Sequence, residues 1–132
     1  MKVHQALTVS LLISTAAAAI YAQGSQTEAR SFAEEVLQMK DAREFREMYR
    51  QKFHVSMKQQ MSEPQWIAAA TQVAEQTGDN KGRTLQTADQ SNGVFRFRYN
   101  STYENGRAFD DVYVVREGDS WKVVGIWVRP AQ

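Results

Sequence analysis

The hydrophobic period changes once along this chain of 132 residues, from the helical 3.6 to the strand period of 2 near Gly82, and that change constrains the fold class more than any single motif. Beyond Gly82 the turn signals arrive at regular spacing: Asn92-Gly93, Asn105-Gly106 and Gly118-Asp119. Asn and Gly both accept positive φ at low cost, so the two Asn-Gly pairs favour tight two-residue hairpins. Four strands follow, at about residues 83–91, 94–104, 107–117 and 120–129, arranged as an antiparallel meander.

The first half reads as helices. Ala29, Phe32, Ala33, Val36 and Leu37 make the stripe of a half-buried helix, with Thr27 as its expected N-cap. Phe45, Met48, Tyr49, Lys52 and Phe53 repeat the pattern, opposite Arg43, Arg46, Glu47 and Arg50, and a break is expected over residues 54–57. Ser62-Glu63-Pro64-Gln65 is a capping box with proline just inside the helix, where its missing N–H costs nothing. The third helix runs from there through Trp66, Ala69, Ala70, Val73 and Ala74, and Gly78 supplies its left-handed stop. The expected class is therefore α+β, three N-terminal helices packed on a four-stranded antiparallel meander.

Residues 1–22 read as a secretory signal peptide: Lys2, an apolar stretch from Ala6 to Ala19, then small residues, with cleavage expected after Ala22 or Ala19. The apolar run is short of the ~20 residues of a spanning helix and contains Thr8, Ser10, Ser14 and Thr15, so no membrane span is expected once the leader is removed. Residues 23–132 are then expected to be a single exported domain, periplasmic or secreted. Without cysteine, that domain has no disulfide, thiolate or cysteine-based metal site, and packing alone must hold it. Lysine and arginine balance aspartate and glutamate once Lys2 is removed with the leader, so no nucleic-acid partner is expected.

Two-residue turns fix register, and register sorts the side chains by face. Phe95, Phe97, Tyr99, Ser101 and Tyr103 share a face with Ala108, Asp110, Val112, Val114 and Arg116, joined by Trp121, Val123 and Trp127. This most aromatic surface is assigned to the helices. The other face carries Arg96, Arg98, Asn100, Asp111 and Lys122, with Asp89 set across from Arg96, and also Phe109, Tyr113, Val115, Val124, Ile126 and Val128. Those six apolar residues are the expected interface, to a second copy in a homodimer or to an envelope protein.

Helices followed by a meander, the Gly82-Arg83 step that opens the sheet, and the closing pattern from Gly118 through Trp121, Val123 and Gly125 to Arg129 resemble a bacterial exported family, domain of unknown function 4019. The shape this implies is similar to the cone-like fold of nuclear transport factor and ketosteroid isomerase relatives, whose helices wrap a bent sheet around a pocket. The terminal glycines suit a turn and a close-packed strand, a signature of fold and not of catalysis.

Asp110 is the carboxylate expected on the aromatic face, beside Trp127. Desolvated there, it would have a raised pKa and act as a general base, with Tyr99 or Tyr103 donating to an oxyanion. Solvation, or a pair with Arg107, is the structural alternative. Trp66, Tyr99, Tyr103, Asp110 and Trp127 are the expected pocket residues. His54 stands alone outside the leader and cannot make a zinc set, and no metal or other cofactor is implied. The leading expectation is an exported, non-enzymatic binding or assembly domain for a protein partner or a small apolar ligand. The alternative is a small lyase or isomerase built on Asp110.

Overall fold

The computed structural model describes residues 25–131, so the signal-peptide reading lies outside the described residues. Helix α1 covers residues 25–41 and buries Ala29, Ala33, Val36 and Leu37 on one stripe. Thr27 lies inside this helix and is not its cap, because helical backbone already holds at Ser25. The helix closes in a Schellman arrangement: the Glu44 N–H donates to Met39 O at 2.9 Å and the Arg43 N–H to Lys40 O at 3.0 Å, with Arg43 at φ 60° where glycine is the usual residue.

Helix α2, Phe45–Glu47, runs directly into a π-helical turn, Met48–Lys52. The break expected over residues 54–57 shrinks to His54. Its backbone is extended while its Nδ1 accepts the Ser56 N–H at 3.0 Å, capping a further short helix, α3, Val55–Gln60. Among the described residues four helices therefore precede the sheet, where three were expected. Helix α4, Glu63–Thr77, starts on the expected capping box, with Ser62 Oγ accepting the Gln65 N–H and Gln65 Oε1 accepting the Ser62 N–H. It stops at Gly78, φ 73°.

The sheet is a four-stranded antiparallel meander in the order β1 Asn80–Ser91, β2 Val94–Tyr103, β3 Gly106–Glu117, β4 Ser120–Pro130. The central pair is unbroken, Val94 opposite Val115 through Tyr103 opposite Gly106, but its turn falls at Glu104-Asn105 and not at the expected Asn105-Gly106, so Asp110 lies opposite Tyr99 and not Ser101; the offset of two residues leaves every face as expected. Phe95, Phe97, Tyr99, Val112, Val114 and Val123 pack under α1, Met48 and Phe53 in one core. The Asp89–Arg96 pair forms at 3.5 Å on the outer face, and Arg116 lies over the Trp121 ring at 5.9 Å.

β4 contains one bulge and β1 two, at Gln86 and at Lys81, and each reverses the faces beyond it. On β4, Val114 pairs with Val123 but Tyr113 pairs with Gly125, so Val124 is an extra residue. Ile126 and Val128 consequently pair with Val112 and Asp110 and turn toward the helices, whereas Trp127 pairs with Asp111 on the outer face. This corrects three expectations: Ile126 and Val128 do not belong to the outer apolar patch, and the Trp127 ring is not beside Asp110. That ring lies edge-on to Tyr113 at 5.1 Å and covers Gly125, where any Cβ would collide with it. On β1, Leu85 pairs with Tyr99 and Thr87 with Arg98, leaving Gln86 unmatched and bringing Arg83 opposite Ser101 on the inner face.

Candidate functional site

Asp110 has no exposed surface, and four side chains converge on it. The Ser101 hydroxyl donates to Oδ2, and the Tyr103 hydroxyl donates to the same atom at 2.7 Å. Arg83 donates to Oδ2 through Nη2 at 2.9 Å and Nε at 3.2 Å, and Lys40 Nζ stands 3.6 Å from Oδ1. Arg83 also grips Asp41 with both terminal nitrogens, at 2.7 and 3.1 Å. Lys40 donates to the Tyr103 hydroxyl at 2.9 Å and lies over its ring. The cluster thus ties the end of α1 to β1, β2 and β3.

Its electrostatics reverse the expected behaviour of Asp110. Burial by itself pushes this carboxyl up, but Lys40, Arg83 and the hydroxyls of Ser101 and Tyr103 together hold it below the usual carboxylate range. Asp110 is an ionised anchor here. The pair with Arg107 does not form; Arg107 donates to Asn100 Oδ1 instead, at 3.0 Å. Tyr103 is pushed up by burial and then by the Asp110 charge, so its proton stays on the phenol and goes to that carboxylate. Tyr99 is pushed up by burial and by Glu34, to which its hydroxyl donates at 2.9 Å under α1. Burial lowers Lys40, with Asp110 and Asp41 opposing that shift.

Beside this cluster a cleft of about 300 Å³ opens between α4, the end of β4 and the turn after α1. Its apolar wall includes Phe45, Trp66, Ala70, Val73, Ile126 and Val128. Trp66 is fixed by its indole N–H, which donates to Phe45 O at 2.8 Å, and by an edge-to-face contact with Phe53 at 4.7 Å between ring centres. Lys40, Asp41, Arg43, Asp79, Asn80 and Tyr103 form the polar end. Of the expected pocket residues, Trp66, Tyr103 and Trp127 line this cleft; Tyr99 and Asp110 do not. Trp127 contributes from the edge strand while its ring stays with Tyr113.

Phe109, Tyr113, Val115 and Val124 are half-buried, with Trp127 the most exposed aromatic of the described residues at 47%. Amid them Asp111 is buried and held by Arg98 at 2.8 and 2.9 Å, with Arg129 at 3.4 Å. His54 bridges to Glu117 at 3.0 Å, and Arg50 pairs with Glu63 of α4 at 2.7 Å. Among the described residues no group of three or more His, Asp or Glu side chains is arranged to hold a metal, and no helix is long and apolar enough to cross a membrane.

Sequence reasoning missed Lys40, Asp41, Arg83 and Asn80. A signal existed for the first two: they continue the α1 stripe four residues beyond Val36 and Leu37, and charge on a buried stripe marks a polar site. Arg83 had no such signal, because only the bulge at Gln86 turns it inward.

No curated protein and no solved structure matches the chain. Residues 32–126 match the family described as protein of unknown function (DUF4019), which is the resemblance carried by the Gly82-Arg83 step and the terminal Gly-Trp-Gly pattern, and over that span the chain belongs to this family.

Proposed function

We propose that this is an exported, non-enzymatic binding domain that holds a small apolar ligand in the cleft between α4 and β4. The observation that carries the reading is the cleft itself: an apolar wall with polar groups gathered at one end, at the lower end of the size range for small-molecule sites. The leader-like residues 1–22 support export.

The lyase or isomerase reading is the weaker one. A general base must reach its substrate and give up its charge readily, whereas Asp110 lies outside the cleft lining and is neutralised by Arg83 and Lys40. Tyr103 already donates to Asp110, and Tyr99 to Glu34, so neither hydroxyl is free for an oxyanion.

Ala69 lines the cleft from an exposed position on α4, so a large side chain there obstructs the cleft without entering the core. Wild-type protein should bind the neutral fluorophore N-phenyl-1-naphthylamine, and Ala69→Trp should weaken that binding at least about tenfold, or about 1.4 kcal/mol. Equal affinity in the two proteins, read by fluorescence titration, would rule the cleft out as the binding site.

A further inference from the structure

We propose that the ligand is a carboxylate with an apolar tail, its anionic head lodged between Lys40, Arg43 and Asn80. This rests on the cleft being the binding site and adds the chemical class of what it binds. The three residues belong to one end of the cleft: Asn80 pairs with Tyr103 across the strands, Lys40 donates to the Tyr103 hydroxyl, and Arg43 reaches Asp79, the neighbour of Asn80, at 4.0 Å.

Asn80 Nδ2 is a buried amide nitrogen with no hydrogen-bond partner among the described residues, although it lies in the cleft lining. A buried donor without an acceptor is costly and uncommon in folded proteins, and an acceptor on a bound ligand would satisfy it. Arg43 places a long cationic side chain in the cleft lining at φ 60°, where glycine would close α1 with less strain.

The acids nearby are already matched. Asp41 is held by both terminal nitrogens of Arg83, and Asp110 by Arg83, Lys40, Ser101 and Tyr103. Lys40 Nζ donates to Tyr103 and stands 3.6 Å from Asp110 Oδ1, which leaves one of its three N–H donors for the cleft that it lines. Asp79 is the one acid at this end without a close partner for its carboxylate; its side chain is 66% exposed, so water screens its repulsion of an anion. A volume of about 300 Å³ is at the lower end of the range for small-molecule sites, the size of one single-chain or aromatic ligand. A medium-length acyl chain fits that size.

The test is displacement of N-phenyl-1-naphthylamine from the full chain by decanoate, decanol and decyltrimethylammonium, each below its micellar concentration. Decanoate should bind about tenfold more tightly than decanol, and the cation more weakly than either. Asn80→Leu should lower decanoate affinity about tenfold and Arg43→Gly about threefold, with decanol unchanged within about twofold in both. Both variants should melt no lower than the parent, since one removes an unsatisfied buried amide and the other relieves a left-handed backbone; this separates a lost contact from a lost fold. Equal affinity for decanoate and decanol, preference for the cation, or decanoate binding indifferent to both substitutions would overturn the proposal while leaving an apolar site in place. Failure of the naphthylamine itself to bind would remove the binding reading along with it.

Discussion

Replacing Asp110 with Asn should destabilise the protein by about 3–5 kcal/mol, the usual cost of removing one partner from a buried ion pair, because Arg83 and Lys40 would remain in the interior without their counter-charge. The amide would also turn donors toward a guanidinium and an ammonium that can only donate. In urea this corresponds to a midpoint lower by roughly 2 M for a domain of this size. The same group sets a pH dependence. Since the folded pKa of Asp110 lies below its unfolded value of about 3.9, its contribution is complete above that value and is lost as pH falls through the folded one. Wild-type stability should therefore drop below about pH 4, with Asp110→Asn lacking that part of the drop. A carboxyl acting as a poised base would give the reverse: a loss setting in as pH rises, and an amide variant as stable as the parent or more so.

Phe97→Ala should cost about 3–5 kcal/mol by equilibrium unfolding. Phe97 is fully buried in the middle of β2, between Ala88 and Val112 on its neighbours and beneath the helical layer. Removing its ring leaves a cavity that a sheet hydrogen-bonded on both sides of that strand cannot close. Its outer-face neighbour provides the contrast: Asp89→Ala removes only an exposed contact with Arg96 at 3.5 Å and should change stability by less than about 0.5 kcal/mol. A one-residue slip of the β1–β2 hairpin would exchange the faces and bring the two values together.

The faces of the central hairpin were legible even though its turn falls at Glu104-Asn105 and not at Asn105-Gly106, because the resulting offset is two residues, an even number, and leaves every side chain from Phe95 to Tyr103 and from Ala108 to Val114 on the face that counting assigns. Counting fails on the outer strands. From Asn92-Gly93 an unbulged register sets Arg83 opposite Thr102 and away from Asp110; from Gly118-Asp119 it sets Trp127 opposite Asp110. The extra residues Gln86 and Val124 reverse both, exchanging an aromatic neighbour for a guanidinium and turning a prospective base into a neutralised anchor. Neither bulge has a local signature that period-2 patterning detects, though Gly125 beside the second gave a hint, since a strand glycine often marks a bulge or a close approach. The helices were legible where chemistry was local, as at the Ser62 to Gln65 box. They were not where it depended on packing: the π-helical turn at Met48–Lys52 and the short helix after His54. The cleft was legible only in part, because Trp66 and Tyr103 were expected there while Lys40, Arg43 and Asn80 come from a helix end, a turn and the first residue of a strand, which have no period to read.

The cleft between α4 and β4 as the place of binding is the claim on which the function depends, and amide and indole chemical shifts of the isotopically labelled chain titrated with decanoate test it most directly. The expected result is a saturable set of shifts at Trp66, Ala70, Val73, Asn80, Tyr103, Ile126 and Val128, with Phe109, Tyr113 and Val115 unmoved. Shifts centred on Phe109, Tyr113 and Val115, or none that saturate, would contradict it.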